Sequence, residues 1–165
     1  MSVNLASPNT FKGILKTCKE LCEGTYDEII EPFNSGSEGK PITYKSYEGE
    51  NVTIRGEVNK TPVVSIGWKI HGNWNPKSYI VIDGLHLRHI DPMGYEEGRM
   101  SSVPRGVFII GGEHNVIRNC DIIGDTKTVS TPEGDVELGF VDGIVIDNAK
   151  HTLIENNSIN KTRIG

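Results

Sequence analysis

The sequence is poor in the features that mark several large classes of protein. Its 165 residues include only three cysteines, and aromatic residues make up 7% of the chain. Cys18, Cys22 and Cys120 lack the paired spacing of a disulfide framework or a zinc site. No apolar run approaches the roughly 20 residues that cross a membrane, and the N-terminus has neither the basic region nor the apolar core of a signal peptide. The sequence therefore predicts no membrane partner, and no export signal is visible in it.

Positive charge is also scarce. The formal net charge is -5 at pH 7, and no stretch is rich in Lys or Arg, so nucleic acid is not an expected partner. Gly39-Lys40 is followed by Pro41 instead of Ser or Thr, which excludes a phosphate-binding loop. A local basic patch or bound cations would still allow an acidic glycan to bind. The length fits one domain over residues 1–165.

What the sequence does contain is a repeat with a period of 37 residues. The segment that begins at Gly106 returns from Gly143, and a partial third copy precedes the first by 35 residues. The equivalent pairs are Gly106 and Gly143, His114 and His151, Ile117 and Ile154, Asn119 and Asn156, and Ile122 and Ile159, while Ile82, Leu85 and Leu87 match Ile117, Cys120 and Ile122. Fixed-period self-similarity is typical of stacked repeat architectures, whose long surfaces suit polymers.

Each repeat has the pattern of several short strands. Apolar residues alternate in short runs that Gly, Asn and Asp interrupt, and no segment beyond residue 41 is periodic enough for a helix. A strand this short buries little by itself, so successive copies must stack and pair in parallel. We therefore predict an all-β fold, a parallel β-helix of about three to four coils. A propeller or a leucine-rich horseshoe would need a Trp-Asp blade signature or a helical half-repeat, and neither is present.

Several of the repeated positions are predicted to be structural. Asn119 and Asn156 occupy equivalent turns, where Asn tolerates the left-handed backbone conformation. Their amides either form a ladder from coil to coil or serve only the turn. His114 and His151 recur with the same period, which indicates a turn role as well. Cys120 is expected to point into the apolar axis of the stack.

The two ends of the chain lead to different expectations. Residues 8–22 show one apolar stripe opposite a Lys-rich side, which predicts an amphipathic α-helix that caps the stack. The coils then occupy residues 23–165 and stop part-way round, without a second cap. This pattern favours the N-terminal portion of a longer β-helix. An uncapped end exposes apolar residues and strand edges, so we expect self-association through the C-terminal end.

The opening of the coils resembles a known family. Glu23-Gly-Thr-Tyr-Asp-Glu-Ile-Ile is followed by Asn34-Ser-Gly-Ser-Glu-Gly-Lys-Pro-Ile-Thr, and later by Tyr79-Ile-Val-Ile-Asp-Gly-Leu. This order of motifs resembles the pectate-lyase-like right-handed parallel β-helix superfamily, and within it the alginate lyases and chondroitinase B. A Pro-Gly-Asp-x-Ile strand usually precedes the Gly-x-Tyr motif in that family, and it is missing here. The resemblance implies a right-handed helix and an extracellular or periplasmic location.

The same resemblance implies an activity. Members of the family cleave uronate-containing polysaccharide by β-elimination, in which a base, commonly Lys or Arg, removes the C5 proton while Ca²⁺ or a basic side chain neutralises the carboxylate. Those residues tend to lie on middle coils, beyond residue 165, so no catalytic residue is carried over and residues 1–165 alone are expected to be inactive. The implied partner is an acidic polysaccharide, and Ca²⁺ is the candidate cofactor. The alternatives are a glycoside hydrolase or epimerase on the same fold, or a non-catalytic carbohydrate-binding or tail-spike-like module.

Two insertions between repeats supply candidate binding residues. Residues 91–105 and 125–142 enter at equivalent points of the repeat, so they are expected to wall a groove on one side of the stack. Arg99 and Arg105 suit bidentate contact with glycan carboxylates. Arg105 and Asp142 also occupy matching positions just before Gly106 and Gly143, and a salt bridge between them is the alternative.

The other candidates are aromatic, acidic or imidazole side chains. Trp68, His71 and Trp74 are expected either to stack on sugar rings or to pack in the core beneath a loop. An acidic cluster in the second insertion offers oxygen ligands for Ca²⁺ or, alternatively, forms a solvated loop. Its members are Glu133, Asp135, Glu137 and Asp142. His86 and His89, which lie near Arg88, are candidate bases.

Overall fold

The protein is built from short strands. The structure is a computed structural model and describes residues 18–48, 50–56, 62–67, 74–89, 105–124, 126–139 and 142–162. Over those ranges the chain is all-β, as predicted, and has no helix. The strands are β1 (Cys18–Leu21), β2 (Gly24–Tyr26), β3 (Ile42–Ser46), β4 (Val52–Arg55), β5 (Val64–Ile66), β6 (Ile80–Asp83), β7 (His86–Arg88), β8 (Arg105–Ile110), β9 (Val116–Arg118), β10 (Asp121–Ile123), β11 (Thr126–Thr131), β12 (Gly134–Gly139), β13 (Asp142–Asp147), β14 (Leu153–Glu155) and β15 (Ser158–Asn160). None of the described segments forms a helix long and apolar enough to cross a membrane.

Three parallel sheets hold thirteen of these strands. The first sheet has the order β1-β3-β6-β9-β14, the second β2-β4-β7-β10-β15, and the third β5-β8-β13. The chain visits the sheets in turn, because β6, β7 and β8 lie in the first, second and third sheet, and β9, β10 and β13 repeat that order. The other two strands, β11 and β12, form an antiparallel hairpin. Each full repeat therefore adds one strand to each of the three sheets.

The strand register agrees with the alignment of the sequence repeats. In the first sheet Ile82 lies opposite Ile117, which lies opposite Ile154. In the second sheet Leu87, Ile122 and Ile159 are aligned in the same way. The inward residues form one apolar cluster, whose largest fully buried members include Ile54, Ile66, Ile80, Ile82, Leu85, Leu87, Ile109, Ile117 and Ile122. At roughly 25 cal/mol per Å² of buried apolar surface, this shared core is the main source of stability.

The N-terminal capping helix predicted for residues 8–22 is not seen. Cys18–Leu21 form strand β1, which pairs in parallel with Thr43–Ser46 of β3, so the prediction is wrong for these residues. Residues 8–17 lie outside the described residues. Helical spacing is a weak local preference, and here hydrogen bonding to a strand some 25 residues away in the chain overrides it.

The repeated turns adopt the left-handed backbone conformation that their residue types predicted. Asn119 and Asn156 have φ of 55° and 53°, and His114 and His151 have φ of 56° and 48°, which confirms the turn role of all four. The side-chain amide of Asn119 donates a hydrogen bond to Asp83 Oδ1 (2.8 Å), one repeat earlier. The Asn119 amide thus binds an acidic neighbour in the preceding repeat, and the predicted Asn–Asn ladder remains a prediction.

Buried polar and sulfur groups join neighbouring repeats. The Asn115 side chain accepts a hydrogen bond from the Ile80 N–H (3.0 Å) and donates one to the Lys77 carbonyl (2.9 Å). Asn157 makes the same kind of bridge, since it accepts from the Cys120 N–H and donates to the Ile117 carbonyl, each at 2.9 Å. Cys120 itself is only 2% exposed, as predicted for an inward residue, and burial raises the pKa of its thiol to about 11.

Charges of alternating sign cross the first sheet in one row. Positions 45, 83, 118 and 155 are aligned on successive strands, and they carry Lys45, Asp83, Arg118 and Glu155. Arg118 makes two contacts with Asp83, from Nε at 2.9 Å and from Nη2 at 2.8 Å. Hydrogen bonding to Asp83, followed by the attraction of nearby carboxylates, raises the pKa of Arg118. Each charge therefore has opposite charges as its cross-strand neighbours.

The strands that end the three sheets expose apolar side chains. Ile117, Ile122 and Ile109 are fully buried, whereas the residues opposite them on the last strands are 37%, 44% and 45% exposed. Those residues are Ile154, Ile159 and Ile146, and Leu153 beside them is also exposed. We call these four residues the apolar end.

Candidate functional site

The solvent face of the second sheet collects charged and polar side chains. Ile54, Leu87 and Ile122 on β4, β7 and β10 are buried, and because side chains alternate along a strand, their neighbours point outward. Position 86 lies opposite positions 53 and 121, position 121 lies opposite position 158, and position 55 lies opposite position 88. We call the resulting surface the polar face; it consists of Thr53, Arg55, His86, Arg88, Asp121 and Ser158.

His86 and Asp121 form a pair at the centre of the polar face. They lie directly opposite each other on β7 and β10, with His86 Nδ1 3.5 Å from Asp121 Oδ2. Their side chains are 44% and 31% exposed, so both are accessible to a ligand. A carboxylate beside one ring nitrogen orients an imidazole and leaves the other nitrogen available to a bound molecule. The pair is therefore suited to accept a proton from a bound molecule.

Two arginines lie side by side on the polar face. Arg55 holds Asp27 in a two-pronged ion pair, with Nη2 2.6 Å from Oδ2 and Nε also bonded to Oδ1. This hydrogen bonding lowers the pKa of Asp27 and raises the pKa of Arg55. Arg88 lies opposite Arg55 and is exposed, and in the described part of the chain no carboxylate pairs with it. Arg88 is thus a cation of this surface that an anionic ligand can reach.

Both insertions follow strands of the second sheet. β7 ends at Arg88 and β10 ends at Ile123, and since the two strands are parallel neighbours, their ends lie at the same edge. The second insertion forms the β11–β12 hairpin. Most of the first insertion lies outside the described residues, so the groove that the two were expected to wall stays a prediction.

Arg105 is not on the polar face. It begins β8 in the third sheet, lies opposite Asp142 of β13, and has its Nε 4.0 Å from Asp142 Oδ2. Its guanidinium carbon also lies 4.6 Å from the centre of the Phe108 ring. The salt bridge that the repeat alignment suggested is therefore present, and it competes with the use of Arg105 for glycan carboxylates.

The aromatic and imidazole candidates have different outcomes. Trp74 is 65% exposed, which rules out core packing for this residue and leaves its ring available for stacking. His89 is buried, so it is poorly placed to meet a polymer, in contrast to His86. Trp68, His71 and Arg99 lie outside the described residues.

The predicted Ca²⁺ ligands are engaged by protein groups where the structure describes them. Asp135 accepts a hydrogen bond of 2.7 Å from the Ser130 hydroxyl across the β11–β12 hairpin, and Asp142 faces Arg105. The Glu137 side chain lies outside the described part of the structure. Calcium binding by Asp135, Glu137 and Asp142 therefore remains a prediction.

A second cluster lies where the chain enters the first sheet. The rings of Tyr79, His114 and His151 stack in successive repeats, with centroids 4.9 Å apart and planes 16° and 15° from parallel. Glu113 adds a carboxylate, and possible ligand atoms of Glu113, His114 and His151 lie within 4.8 Å of one another. The recurrence of the two histidines in the sequence indicates a turn role, and their stacking in the structure is a second consequence of the same repeat. The signal was present, because residues one period apart in a stack are direct neighbours.

Comparison with known proteins gives a relative without a stated activity. The uncharacterized protein YwoF of Bacillus subtilis is 29% identical over 124 residues, which cover 72% of this chain and 24% of that protein. The chain thus spans about a quarter of the length of this relative. No family model matches the chain, and no solved structure matches it.

Proposed function

We propose that the chain is a right-handed parallel β-helix whose polar face binds an acidic polysaccharide. The strand order supports the helix, because the chain enters three parallel sheets in turn and the paired strands are one repeat apart. We assign a right-handed helix because crossover connections between parallel strands are strongly biased towards the right hand. A stack of this kind repeats side chains in rows about 4.8 Å apart, and such rows suit a polymer.

The preference for an acidic polymer rests on Arg88, which no carboxylate of the described residues pairs with; Arg55 beside it is held by Asp27. Arg55 and Arg88 lie opposite each other on neighbouring strands, and a guanidinium matches a carboxylate in charge and in planar geometry. The net charge of the whole chain is -5, so the attraction is local. The exposed ring of Trp74 is a separate aromatic surface of the kind that packs against sugar rings; it lies beside the third sheet, where the Asn75 N–H donates to the Gly67 carbonyl.

The reaction that the polar face suits best is β-elimination at a uronate. His86 is the proposed base, held by Asp121, and Arg88 lies two residues along the same strand, about 6.6 Å away. His86 takes the C5 proton, and the C5–H electron pair forms the C4–C5 double bond as the C4–O bond breaks. The departing oxygen keeps its electron pair and takes a proton from water. Arg88 stabilises the negative charge that grows on the uronate carboxylate. The juxtaposition of His86, Asp121 and Arg88 is the observation that carries this proposal.

Turnover measurements test the lyase directly. The chain is incubated with alginate, pectate and chondroitin, each with and without Ca²⁺, and the ultraviolet absorbance of unsaturated uronate ends is followed. In contrast to the expectation from the sequence that residues 1–165 alone are inactive, we expect product from at least one polymer, because His86, Asp121 and Arg88 all lie within these residues. We expect its loss in His86→Gln and Arg88→Gln. Arg118→Gln, which removes an arginine from the first sheet, is the matched control and should keep the rate. Absence of unsaturated product from every polymer, or an unchanged rate in His86→Gln, would refute the lyase.

A non-catalytic carbohydrate-binding module is the second candidate. This candidate is favoured by the extent of the match, because the chain covers only about a quarter of the length of YwoF. The rest of such a relative offers room for a separate catalytic site. Binding without any product, weakened in Arg88→Gln, would support this candidate. Saturated reducing ends would instead indicate a hydrolase, and inversion at C5 an epimerase.

A further inference from the structure

We propose that Glu113, His114 and His151 form a surface site for one divalent transition-metal ion of the zinc class. The ligand atoms of the three side chains already lie within 4.8 Å of one another, and all three residues are exposed. Two imidazole nitrogens and one carboxylate suit Zn²⁺, Ni²⁺ or Cu²⁺, whereas Ca²⁺ prefers oxygen ligands alone. The site is separate from the polar face, and it does not depend on the proposed activity.

The backbone holds the two histidines in neighbouring repeats. Both have positive φ, and the His114 N–H donates to the Lys150 carbonyl at 3.1 Å, while the Lys150 N–H donates to the Gly112 carbonyl at 2.9 Å. The Glu113 N–H donates to the Ser78 hydroxyl at 3.1 Å. These bonds fix the chain segments that carry the ligands, so metal binding requires only side-chain rotation.

The rotation that is required is small. Zinc–ligand bonds are about 2.0–2.2 Å, so two ligands at a tetrahedral angle lie about 3.4 Å apart. The ligand atoms now lie up to 4.8 Å apart, so the distance between any two of them must shorten by at most about 1.4 Å. The His114 and His151 rings are within 15° of parallel and must tilt, because imidazole lone pairs lie in the ring plane. Both side chains are exposed, which leaves room for that tilt.

Space for a further ligand lies beside the cluster. A pocket of about 250 Å³ shares Glu113 with the proposed site and is lined by Ser78, Gly112, Glu113, Asn148 and Lys150. Three protein ligands leave one position of a tetrahedral zinc ion to water or to an anion. Lys150 at the pocket wall favours an anionic ligand at that position.

Titration of the full 165-residue chain, without a histidine tag, tests the site. Calorimetry with Zn²⁺ and visible absorption with Co²⁺ should each show one ion per chain. Loss of an outer-shell partner already costs about 10- to 100-fold in metal affinity, so loss of a direct ligand should cost at least about tenfold. We expect this weakening in His114→Asn, His151→Asn and Glu113→Gln. Asn is chosen because it tolerates the left-handed turn.

The control variant is His86→Asn, which removes an exposed imidazole elsewhere and should bind Zn²⁺ as the unmodified chain does. A second readout needs no variant, because Zn²⁺ should shift the imidazole NMR signals of His114 and His151 before those of His86. Three results would each overturn the site: absence of saturable Zn²⁺ binding, an affinity in His114→Asn and His151→Asn equal to that of the unmodified chain, or first shifts at His86.

Discussion

Side-chain amides join neighbouring repeats from within the core. Asn115 has no measurable exposure and satisfies one N–H and one carbonyl of the preceding repeat. Thr152 takes the equivalent place one repeat later, and its buried hydroxyl has no hydrogen-bond partner among the described residues. The same position therefore carries a satisfied amide in one repeat and an unsatisfied hydroxyl in the next.

This contrast predicts opposite effects of two small substitutions. Asn115→Ala removes the hydrogen bonds that the Asn115 side chain makes to the Ile80 N–H and the Lys77 carbonyl. Each buried polar group that loses its hydrogen bond costs about 1–3 kcal/mol of stability. Thr152→Val removes a hydroxyl that has lost its water without gaining a partner, so stability should be unchanged or higher. Denaturant unfolding of both variants measures the free energies. A Thr152→Val variant as destabilised as Asn115→Ala would contradict this assignment.

Strands in the first sheet are aligned by charge as well as by apolar pattern. Lys45, Asp83, Arg118 and Glu155 alternate in sign across four neighbouring strands. Opposite charges in cross-strand contact each contribute roughly 0.2–1 kcal/mol, and like charges destabilise. A slip of one residue would break the row and also turn the apolar side chains outward. The two patterns thus specify the same register.

The charge row predicts a difference between two substitutions of one residue. Arg118→Gln removes the central cation, whereas Arg118→Glu places a third carboxylate between Asp83 and Glu155. We expect Arg118→Glu to be less stable than Arg118→Gln by roughly 1 kcal/mol, a value limited by solvent screening because the Arg118 side chain is 43% exposed. Thermal unfolding at low and high salt measures it. The difference should shrink with added salt; equal stabilities at low salt would contradict the account.

Much of the architecture was predictable from the repeat, and much of the site was not. The offset of 35 residues that aligns Leu87 with Ile122 also aligns His86 with Asp121, so that pair was within reach of the sequence. The pairing of Arg55 with Asp27 was not, because no repeat is recognisable in that part of the chain. β1 was assigned to a helix because its pairing with β3 depends on a distant segment that local periodicity does not report.

At the scale of the molecule, the outermost strands of the three sheets together carry the apolar end. Ile146, Leu153, Ile154 and Ile159 lie on the last strand of each sheet, and each is more than a third exposed. Among the described residues, each of those strands pairs on one side only, and an unpaired strand edge can pair with another chain. A surface of this kind gains about 25 cal/mol for each Å² of apolar area that association covers.

We therefore predict that the 165-residue chain self-associates through the apolar end. Light scattering across a concentration series should show a mass that rises with concentration. The double variant Ile154→Lys with Ile159→Lys should shift this rise to higher concentration, because burying the new charges is costly. Val136→Lys, which alters an exposed apolar residue on the hairpin, is the control and should associate as the unmodified chain does. A chain that is monomeric at all concentrations would contradict the prediction.

The central claim, that the polar face of the stacked repeats binds an acidic polysaccharide, is tested most directly by mapping the bound surface. Backbone and side-chain NMR signals of the chain are followed during titration with short oligouronates, with a neutral oligosaccharide of equal length as the control. The account predicts that the acidic ligand alone shifts the signals of Arg55, His86, Arg88 and Asp121 on β4, β7 and β10. Shifts confined to the first or third sheet, equal shifts with the neutral ligand, or no shifts at all would contradict it.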